Sequence, residues 1–448
     1  MFDASQMMII VGVLLTLVLF GTHIAVALGI TSALGVYLMQ EDMEVVRSFI
    51  SNTAYEGIRD YIFAVIPLFI LMGEFLAKSG AARDLFGLVN RLTRWLPGRL
   101  GVATVLANAV FAFVSGVSIA AAATFSRIAY PEMKRYGYNR QFSLSCIAGS
   151  ACLGMLIPPS VLMIVWGVLT EQSIGSLFMA GVVPGIAVVL SYSAYIVGTA
   201  ILRPDIVGEG KAPIAAGVTR LPVREENEDL TGTLFGTLLV LFLVCGVLGG
   251  IWFGFFTPTE GAGVGAVGAL LIALIRGIRV REIFEVVLSA GRSSAPLLLL
   301  LVMAQIYSRV LSMTGITGAV QAALLDTGLP AIAILGIMIL IWFVLGCIID
   351  SISIILLTVP VFAPVAASLG YDPLAFAIIG ILAIETGLLT PPFGILVFTV
   401  KAALPQENVP VGEIFRGATP FWICLVLVIG AIIAFPQIAT WLPNLGRA

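Results

Sequence analysis

Long apolar runs, separated by short polar segments, recur along the whole chain and predict membrane-spanning helices. Because a helix needs about 20 apolar residues to cross a bilayer, the run at 7–39 predicts two helices that meet near 21–23. Single spans are predicted at 61–77, 175–202, 231–252, 257–276, 293–313 and 418–440.

The polar segments between these runs predict the connections. Residues 41–60 are mostly acidic and predict a loop. An amphipathic stretch with four arginines between 83 and 99 predicts a helix that lies on the membrane surface. The longest polar stretch, 203–229, predicts a cytoplasmic linker between two halves of the chain.

Two other apolar runs are interrupted by the same kind of break, LGMLIPPS at 153–160 and TGLLTPPF at 386–393. A proline pair removes two backbone donors and disfavours the α conformation of the preceding residue, so the helix must unwind there. In a membrane, unwound backbone is tolerated only where it lines a cavity or is buried in protein. Paired interruptions in two halves of a chain therefore point to the binding site of a transporter.

The breaks belong to a longer internal repeat. Pro158 and Pro391 are 233 positions apart, and between 131 and 159 seven residues are identical to those 233 positions later. The pairs are Pro131 with Pro364, Gly137 with Gly370, Tyr138 with Tyr371, Gly154 with Gly387, Leu156 with Leu389, Pro158 with Pro391 and Pro159 with Pro392.

Two segments predict re-entrant hairpins, and the charges around them predict on which face each hairpin opens. Residues 101–127 are apolar on both sides of the polar tip SGVS at 115–118, and basic residues flank both ends. By the positive-inside rule, both ends are cytoplasmic. The second tip, GCIIDSIS at 346–353, lies in a region without lysine or arginine between Arg309 and Lys401, so its hairpin is predicted to open outward. The halves then have opposite topology, as an inverted repeat requires.

The predicted fold class is therefore an all-α polytopic membrane protein with two inverted-topology repeats of re-entrant hairpins and broken helices. The predicted domains are N-terminal scaffold spans with an interfacial arm helix at 1–100, a first transport repeat (hairpin plus broken helix) at 101–202, the cytoplasmic linker at 203–229, scaffold spans with a second arm at 230–328, a second transport repeat at 329–402, and a C-terminal span at 403–448.

Composition agrees with this class and excludes one kind of partner. The chain is 60% hydrophobic and 11% charged, with a mean hydropathy of +1.10, so its environment is the lipid bilayer. A net charge of −2 gives no basic face for nucleic acid. The five cysteines lie in apolar segments without a CxxC pair, and we interpret them as small core residues.

The tips and breaks carry the atoms that ion binding requires. Both present free carbonyl oxygens, and their serine and threonine hydroxyls add oxygen ligands of the kind that hard cations such as Na⁺ prefer. The breaks also expose half-helix N-termini, whose amides and partial positive charge suit an anion. Together these features predict a sodium-coupled carrier of organic anions; the alternative is that small residues and prolines serve close packing alone. The predicted substrate-binding residues are Pro158, Pro159, Glu385, Pro391 and Pro392.

Two acids lie deep in the second repeat. An ionised carboxylate there costs at least about 2.5 kcal/mol, so an intramembrane acid points to function. Asp350 can ligand a cation or cap the hairpin helix, and Glu385 can compensate charge or make a buried structural hydrogen bond. Their counterparts in the first repeat are Val117 and Cys152, so the two cation sites are predicted not to be equivalent.

Several stretches resemble the large membrane (M) subunit of tripartite ATP-independent periplasmic (TRAP) transporters, the DctM-like family. They are FVSGVSIAAA, PEMKRYGY, LGMLIPPSVLMIVWG, FFTPTEGAGVGAV, GCIIDSISIILLTVPVFAPV and ETGLLTPPFG. The resemblance implies an elevator-type ion transporter fold in the bacterial inner membrane and sodium symport, with Na⁺ as coupling ion and no cofactor. It also implies two partners: a small membrane (Q) subunit, which we expect to be a separate chain, and a periplasmic substrate-binding (P) protein that delivers a small organic anion, a carboxylate or sulfonate.

Carried over by position, the resemblance implies two sodium sites. The first would use Ser115, Gly116, Ser118, Gly154, Ile157 and Ser160. The second would use Gly346, Asp350, Ser351, Gly387, Thr390 and Phe393, several of them through backbone carbonyls. The first tip departs from the family pattern SGS, because Val117 displaces the second serine.

Four alternative functions differ in chemistry from a sodium-coupled tripartite carrier. A stand-alone sodium/dicarboxylate symporter, or an anion exchanger that carries protons on Asp350 and Glu385, would share the two-repeat fold. An intramembrane enzyme is disfavoured, because the sequence has no HExxH, GxSxG or paired-aspartate motif. The lack of a Walker A motif disfavours ATP-driven pumping.

Overall fold

In a computed structural model, residues 4–208 and 230–445 are described; they form α-helices and two short 3-10 turns, Tyr61–Ala64 and Pro405–Glu407. No β-strand occurs in these two ranges. The predicted linker begins with a turn at 204–208, and the rest of it, 209–229, lies outside the described residues.

The helices fall into two sets on either side of that linker. The first set is α1 Ala4–Leu19, α2 Ile24–Gln40, α3 Met43–Arg59, α4 Val65–Lys78, α5 Ala81–Leu92, α6 Arg99–Ser115, α7 Ser118–Arg135, α8 Arg140–Ala151, α9 Leu153–Leu156, α10 Val161–Thr170 and α11 Ile174–Leu202. The second set is α12 Leu230–Trp252, α13 Pro258–Ile275, α14 Val280–Thr314, α15 Ile316–Leu325, α16 Ala331–Gly346, α17 Ser351–Ser368, α18 Pro373–Gly387, α19 Ile395–Ala403, α20 Val411–Ala434 and α21 Gln437–Leu445.

The two sets repeat each other over nearly the whole chain. Helix α17 begins and ends 233 residues after α7, and α15 ends 233 residues after α5. The order α1–α11 recurs as α12–α20, except that α3 and α4 are joined in the long α14 and α9 has no counterpart. The repeat therefore includes the scaffold helices as well as the hairpins and broken helices in which the sequence motifs revealed it.

Packing between the sets follows a two-fold relation. Helix α10 packs against α17 as α19 packs against α7, and α2 packs against α14 as α13 packs against α4. Such exchanged contacts are what a two-fold axis produces. Two pairs of equivalent residues also touch: the Cys152 thiol donates to the Glu385 carbonyl at 3.5 Å, and the Cys424 thiol to the Ser191 carbonyl at 4.0 Å. The predicted all-α fold with two inverted repeats is confirmed.

Within the described ranges, eight helical segments are long and apolar enough to cross a membrane, with α8–α10 counted as one segment. Large apolar side chains on their surfaces, such as Phe242 on α12 and Leu190 on α11, are exposed on the isolated chain. A bilayer is the environment that such a surface requires.

Two local predictions were wrong. The predicted acidic loop at 41–60 is helix α3, which begins where the Asp42 side chain accepts a hydrogen bond from the Glu44 amide at 2.8 Å and buries Val46 and Thr53. Charge alone therefore hid an amphipathic helix. The predicted last span at 418–440 is two helices, α20 and α21, which meet at Pro436.

Ionic contacts join the repeats near the start of α20. Lys134 on α7 and Glu407 pair at 2.7 Å, and the Tyr130 hydroxyl donates to the other carboxylate oxygen of Glu407 at 2.9 Å. Arg140 on α8 makes two hydrogen bonds to Glu413, at 3.1 and 2.7 Å. The hydrogen bond from Lys134, followed by that from Tyr130, lowers the pKa of Glu407.

We predict that Glu407 makes stability depend on pH. Because its folded-state pKa lies below the ordinary value of 4.5, the ionised carboxylate stabilises the fold fully above that value and loses this contribution as the pH falls through the folded pKa. Glu407→Gln removes the charge, so its melting temperature in detergent should lie about 1–3 °C below wild type at about pH 7 and approach it below about pH 4.

The control for this comparison is Glu41→Gln, which removes an exposed carboxylate at the end of α2. It should melt like wild type at every pH. A difference for Glu407→Gln that stayed constant from neutral to acidic pH would show that the Glu407 charge contributes nothing.

Candidate functional site

The first hairpin turns between α6 and α7 within two residues. Gly116 ends α6 in the left-handed conformation, with φ 59° and ψ 11°, and Val117 is extended before α7 begins at Ser118. A residue without a Cβ adopts positive φ at little cost, which is why a glycine stands at this tip.

The first tip lies directly on the first break. A Cβ on Gly154 would lie 3.0 Å from the Ser118 Cα, and a Cβ on Gly116 would lie 2.8 Å from the Pro159 carbonyl oxygen. The Val161 amide, at the start of α10, donates to the Gly116 carbonyl at 3.3 Å. The two unwound segments therefore meet backbone to backbone, which requires glycine on both sides.

The remaining residues of the first predicted sodium site surround this contact. Ser160 caps α10 by accepting from the Met163 amide at 3.4 Å, and its hydroxyl donates to the Met155 carbonyl at 2.5 Å. Ile157 is extended and buried between α9 and the cis Pro158–Pro159 bond.

The Ser115 hydroxyl is buried and has no hydrogen-bond partner in the described structure. It lines a cavity of about 10 Å³ together with Gly116 and Pro159. Phe69 and Ile70 of the scaffold helix α4 close the cavity from the other side. The first tip, the first break and the scaffold thus meet at this cavity.

The second tip and break meet in the same way. A Cβ on Gly387 would lie 2.6 Å from the Gly346 Cα, and the amide of Phe393, whose side chain is exposed, donates to the Cys347 carbonyl at 3.2 Å. The Thr390 hydroxyl donates to the Gly387 carbonyl at 2.8 Å and lies 2.9 Å from the Cys347 sulfur. The second break also carries a cis bond, Pro391–Pro392.

Asp350 caps the second hairpin helix. One carboxylate oxygen accepts from the Ser353 amide at 3.0 Å, and the other accepts from the Ser353 hydroxyl at 2.5 Å. Of the two roles that the sequence left open, the structure shows the helix cap. Val117 occupies the same place before α7 without a side-chain cap.

Glu385 lies between the two tips. Its side chain is 1% exposed, and its carboxylate accepts from the Ser118 hydroxyl at 2.7 Å and from the Ser351 hydroxyl at 3.0 Å. Sequence reasoning missed this convergence, although a signal was present. Ser118 and Ser351 are 233 residues apart, as are Cys152 and Glu385.

The predicted sodium-site residues therefore form two clusters of tip and break, joined through Glu385. Both clusters consist mainly of carbonyl and hydroxyl oxygens, the donors that suit a hard cation. The described residues contain no group of three or more His, Cys, Asp or Glu side chains that could hold a metal ion. The N-termini of the half-helices α10 and α19 begin beside the clusters and offer a partial positive charge.

Comparison with known proteins places this architecture in a family. The sequence profile of the family described as "Tripartite ATP-independent periplasmic transporter, DctM component" matches residues 11–438. The chain belongs to this family. It is therefore a transport protein rather than an enzyme and, like other family members, an integral multi-pass protein of the inner membrane.

Among relatives of this large permease subunit, the C4-dicarboxylate TRAP transporter large permease protein DctM of Pseudomonas aeruginosa is 34% identical over 93% of this chain and 94% of that protein. The ectoine TRAP transporter large permease protein TeaC of Halomonas elongata is 30% identical over 98% and 99%. The crystal structure of the Alcanivorax borkumensis YdaH transporter superposes with a TM-score of 0.64 over 89% of this chain and 90% of that one, at 12% identity. That likeness concerns the fold alone.

We predict that Gly387→Ala disrupts the second cluster of this TRAP permease. A Cβ there would lie 2.5 Å from the Phe343 carbonyl oxygen and 2.6 Å from the Gly346 Cα, and backbone cannot yield as a side chain can. The melting temperature in detergent should fall by several degrees, corresponding to about 1–3 kcal/mol.

The matched control is Gly336→Ala on α16 of the same hairpin, where nothing lies within 4 Å of the new Cβ. That variant should be as stable as wild type or more stable, because alanine favours the helix. Equal melting temperatures for the two variants would contradict the close contact between tip and break.

Proposed function

We propose that this chain is the large membrane subunit of a Na⁺-coupled transporter that imports a small organic anion by an elevator mechanism. The observation that supports the proposal most is the pair of tip-and-break clusters, rich in oxygen donors and related by a two-fold axis, in a member of the TRAP family. Two related clusters offer two cation sites, and the half-helices between them offer an anion site.

Ser115 supports the first sodium site. A buried hydroxyl without a partner loses the hydrogen bonds it would make in water, so a bound ligand would recover that cost. The adjoining cavity has a volume of about 10 Å³. One water molecule needs a cavity of about 10–15 Å³, and a bare Na⁺ is no larger than a water molecule. Ser118, Gly154, Ile157 and Ser160 would complete this site with Gly116.

The second sodium site would use Gly346, Ser351, Gly387, Thr390 and Phe393. It offers carbonyl and hydroxyl oxygens, the same kinds of ligand as the first site. The acid at Asp350, where the first repeat has Val117, places one more negative charge near the second site. The two sites should therefore differ in affinity for Na⁺.

The substrate proposal follows from the two breaks. Pro158, Pro159, Pro391 and Pro392 interrupt the helices, so α10 and α19 begin within the protein and their partially positive N-termini favour an anionic group. Relatives are named for C4-dicarboxylate and for ectoine, so we propose a small organic acid. Because the family is tripartite, we propose a small membrane subunit and a periplasmic binding protein as partners, with the binding protein selecting the substrate.

Uptake into proteoliposomes tests the proposed function. The chain is reconstituted with its small membrane subunit, and a binding protein and labelled organic acids are added outside. Uptake should require both the binding protein and an inward Na⁺ gradient. Uptake by this chain alone would favour a stand-alone symporter, and uptake driven equally well by protons would favour a proton-coupled exchanger.

In the same assay, Ser115→Ala should raise the Na⁺ concentration for half-maximal uptake by about tenfold, which corresponds to about 1.4 kcal/mol. Without Na⁺ the variant should melt at or above the wild-type temperature, because Ser115 is buried without a hydrogen-bond partner and alanine removes that cost. The control is Ser126→Ala on α7, whose hydroxyl donates to the Ala122 carbonyl of its own helix. An unchanged Na⁺ requirement in Ser115→Ala would remove Ser115 from the site.

Unequal contacts of the two broken helices with the scaffold support the elevator proposal. Val168, Leu169 and Glu171 at the end of α10 border a cleft of about 290 Å³ that α3 and α14 close from the scaffold side. The equivalents of Val168 and Glu171 at the end of α19 are Lys401 and Leu404, and these line a cavity of about 510 Å³ together with Pro405 and residues 408–410 instead. If α19 took the contacts that α10 now makes with the scaffold, and α10 those of α19, the carrier would be in the opposite state of its transport cycle.

That exchange predicts one contact of the opposite state. Val168 shares the cleft with Glu56, and adding 233 to each number gives Lys401 and Ser289. Ser289 now donates to Glu74 at 3.2 Å, so Lys401 would arrive beside this pair as the transport elements move. A thiol cross-linker should join Lys401→Cys to Ser289→Cys and trap the carrier without transport.

The matched pair Val168→Cys with Glu56→Cys should cross-link in the present state, in a background without the exposed Cys245. Both pairs are tested during turnover with substrate and Na⁺. If the Val168 and Glu56 pair cross-links and the Lys401 and Ser289 pair never does, the exchange of repeats is contradicted.

A further inference from the structure

The Glu385 carboxylate has an unusual set of partners. Each of its two oxygens accepts one serine hydroxyl, from Ser118 at the start of α7 and from Ser351 at the start of α17. The two serines belong to different hairpins, so a single side chain on α18 holds both tips.

The two-fold axis explains how one carboxylate reaches both serines. Cys152 and Glu385 are equivalent residues in contact at 3.5 Å, so both lie at the axis. Ser118 and Ser351 are also equivalent, so they approach the axis from opposite sides at similar distances. We call this arrangement, in which the Glu385 carboxylate joins Ser118 and Ser351, the bridge. The first repeat does not supply a second one, because its equivalent of Glu385 is a cysteine, whose sulfur is a weak acceptor.

Because Glu385 is buried, its carboxylate depends on the two serine hydroxyls. The Glu385 side chain is almost fully buried, and none of the ion pairs among residues 4–208 and 230–445 includes it. A buried carboxylate without a basic partner depends on its hydrogen-bond donors, and the loss of one donor leaves part of the desolvation cost uncompensated. Movement of either serine is therefore opposed by the carboxylate and is felt at the other.

We propose that Glu385 is a positioning residue that couples the two tip-and-break clusters instead of contacting the transported anion. This inference rests on the proposed function, since Ser118 and Ser351 are ligand candidates for the two sodium sites. A cation that draws the Ser118 hydroxyl into the first cluster alters the hydrogen bond on one oxygen of Glu385, and the other oxygen transmits the change to Ser351. Both oxygens of Glu385 accept hydrogen bonds in this arrangement, so the side chain offers no donor to an anionic substrate.

The first arm of the test measures the bridge without Na⁺. Melting temperatures of purified Ser118→Ala, Ser351→Ala and the double variant are compared with wild type in Na⁺-free buffer. Two serines that share one carboxylate should be non-additive, because the second loss leaves the buried group with neither hydroxyl donor. Losses that simply add would overturn the bridge.

The second arm measures coupling. Uptake by the reconstituted complex is followed against Na⁺ concentration for wild type and Glu385→Gln, which keeps the size of the side chain but only one carbonyl acceptor. Wild type should respond steeply, and the Hill coefficient of Glu385→Gln should fall to about 1 as the two sites become independent. The control is Glu41→Gln, which removes an exposed carboxylate at the end of α2 and should keep the steep response.

The outcomes of the two arms are distinct. An unaltered Hill coefficient in Glu385→Gln would overturn the coupling role. If that variant does not fold, Glu385→Asp, whose shorter side chain cannot reach both serines, is titrated with Na⁺ in its place. A wild-type complex that ignores Na⁺ while the serines remain non-additive would overturn the proposed sodium coupling and leave the bridge standing.

Discussion

Every backbone amide and carbonyl that a helix break exposes within a bilayer must find a partner inside the protein. The two Pro-Pro breaks each leave backbone groups without a partner in their own helix, and the two hairpin tips supply partners for them. Val161 donates to the first tip and Phe393 to the second. Glycines at both tips and both breaks allow the backbones to approach closely enough. The rest of the helical bundle holds these four segments together.

The same constraint determines where possible ligand atoms lie. Oxygen atoms that do not pair within a regular helix collect at the tips and breaks, and an oxygen-rich, partly unsatisfied site is where a hard cation is stabilised. The scaffold takes part as well, because Phe69 and Ile70 cover the small cavity beside Ser115. A change in the position of the scaffold would therefore open or close that cavity directly.

Duplication explains the layout of the carrier, and its imperfections give the halves separate tasks. Equivalent helices exchange partners across the axis, yet Glu385 stands opposite Cys152 and Asp350 opposite Val117. At these two positions only the second repeat has an acidic side chain. A single carboxylate at the axis can serve both hairpins, whereas two carboxylates at that distance would repel each other.

The sequence by itself determined the class of protein, the two breaks, the hairpin tips and the family, because each depends on neighbouring residues. Apolar runs require lipid or a core, and a proline pair ends a helix whatever surrounds it. Charge counts were a weaker guide and hid α3, since an acidic surface also suits an exposed helix face. Only the tertiary structure decided that Asp350 caps α17, that the repeat extends over the scaffold, and that Ser118 and Ser351 meet at Glu385. Ser118 and Glu385 are 267 residues apart, and the two-fold packing that joins them is a property of the folded chain.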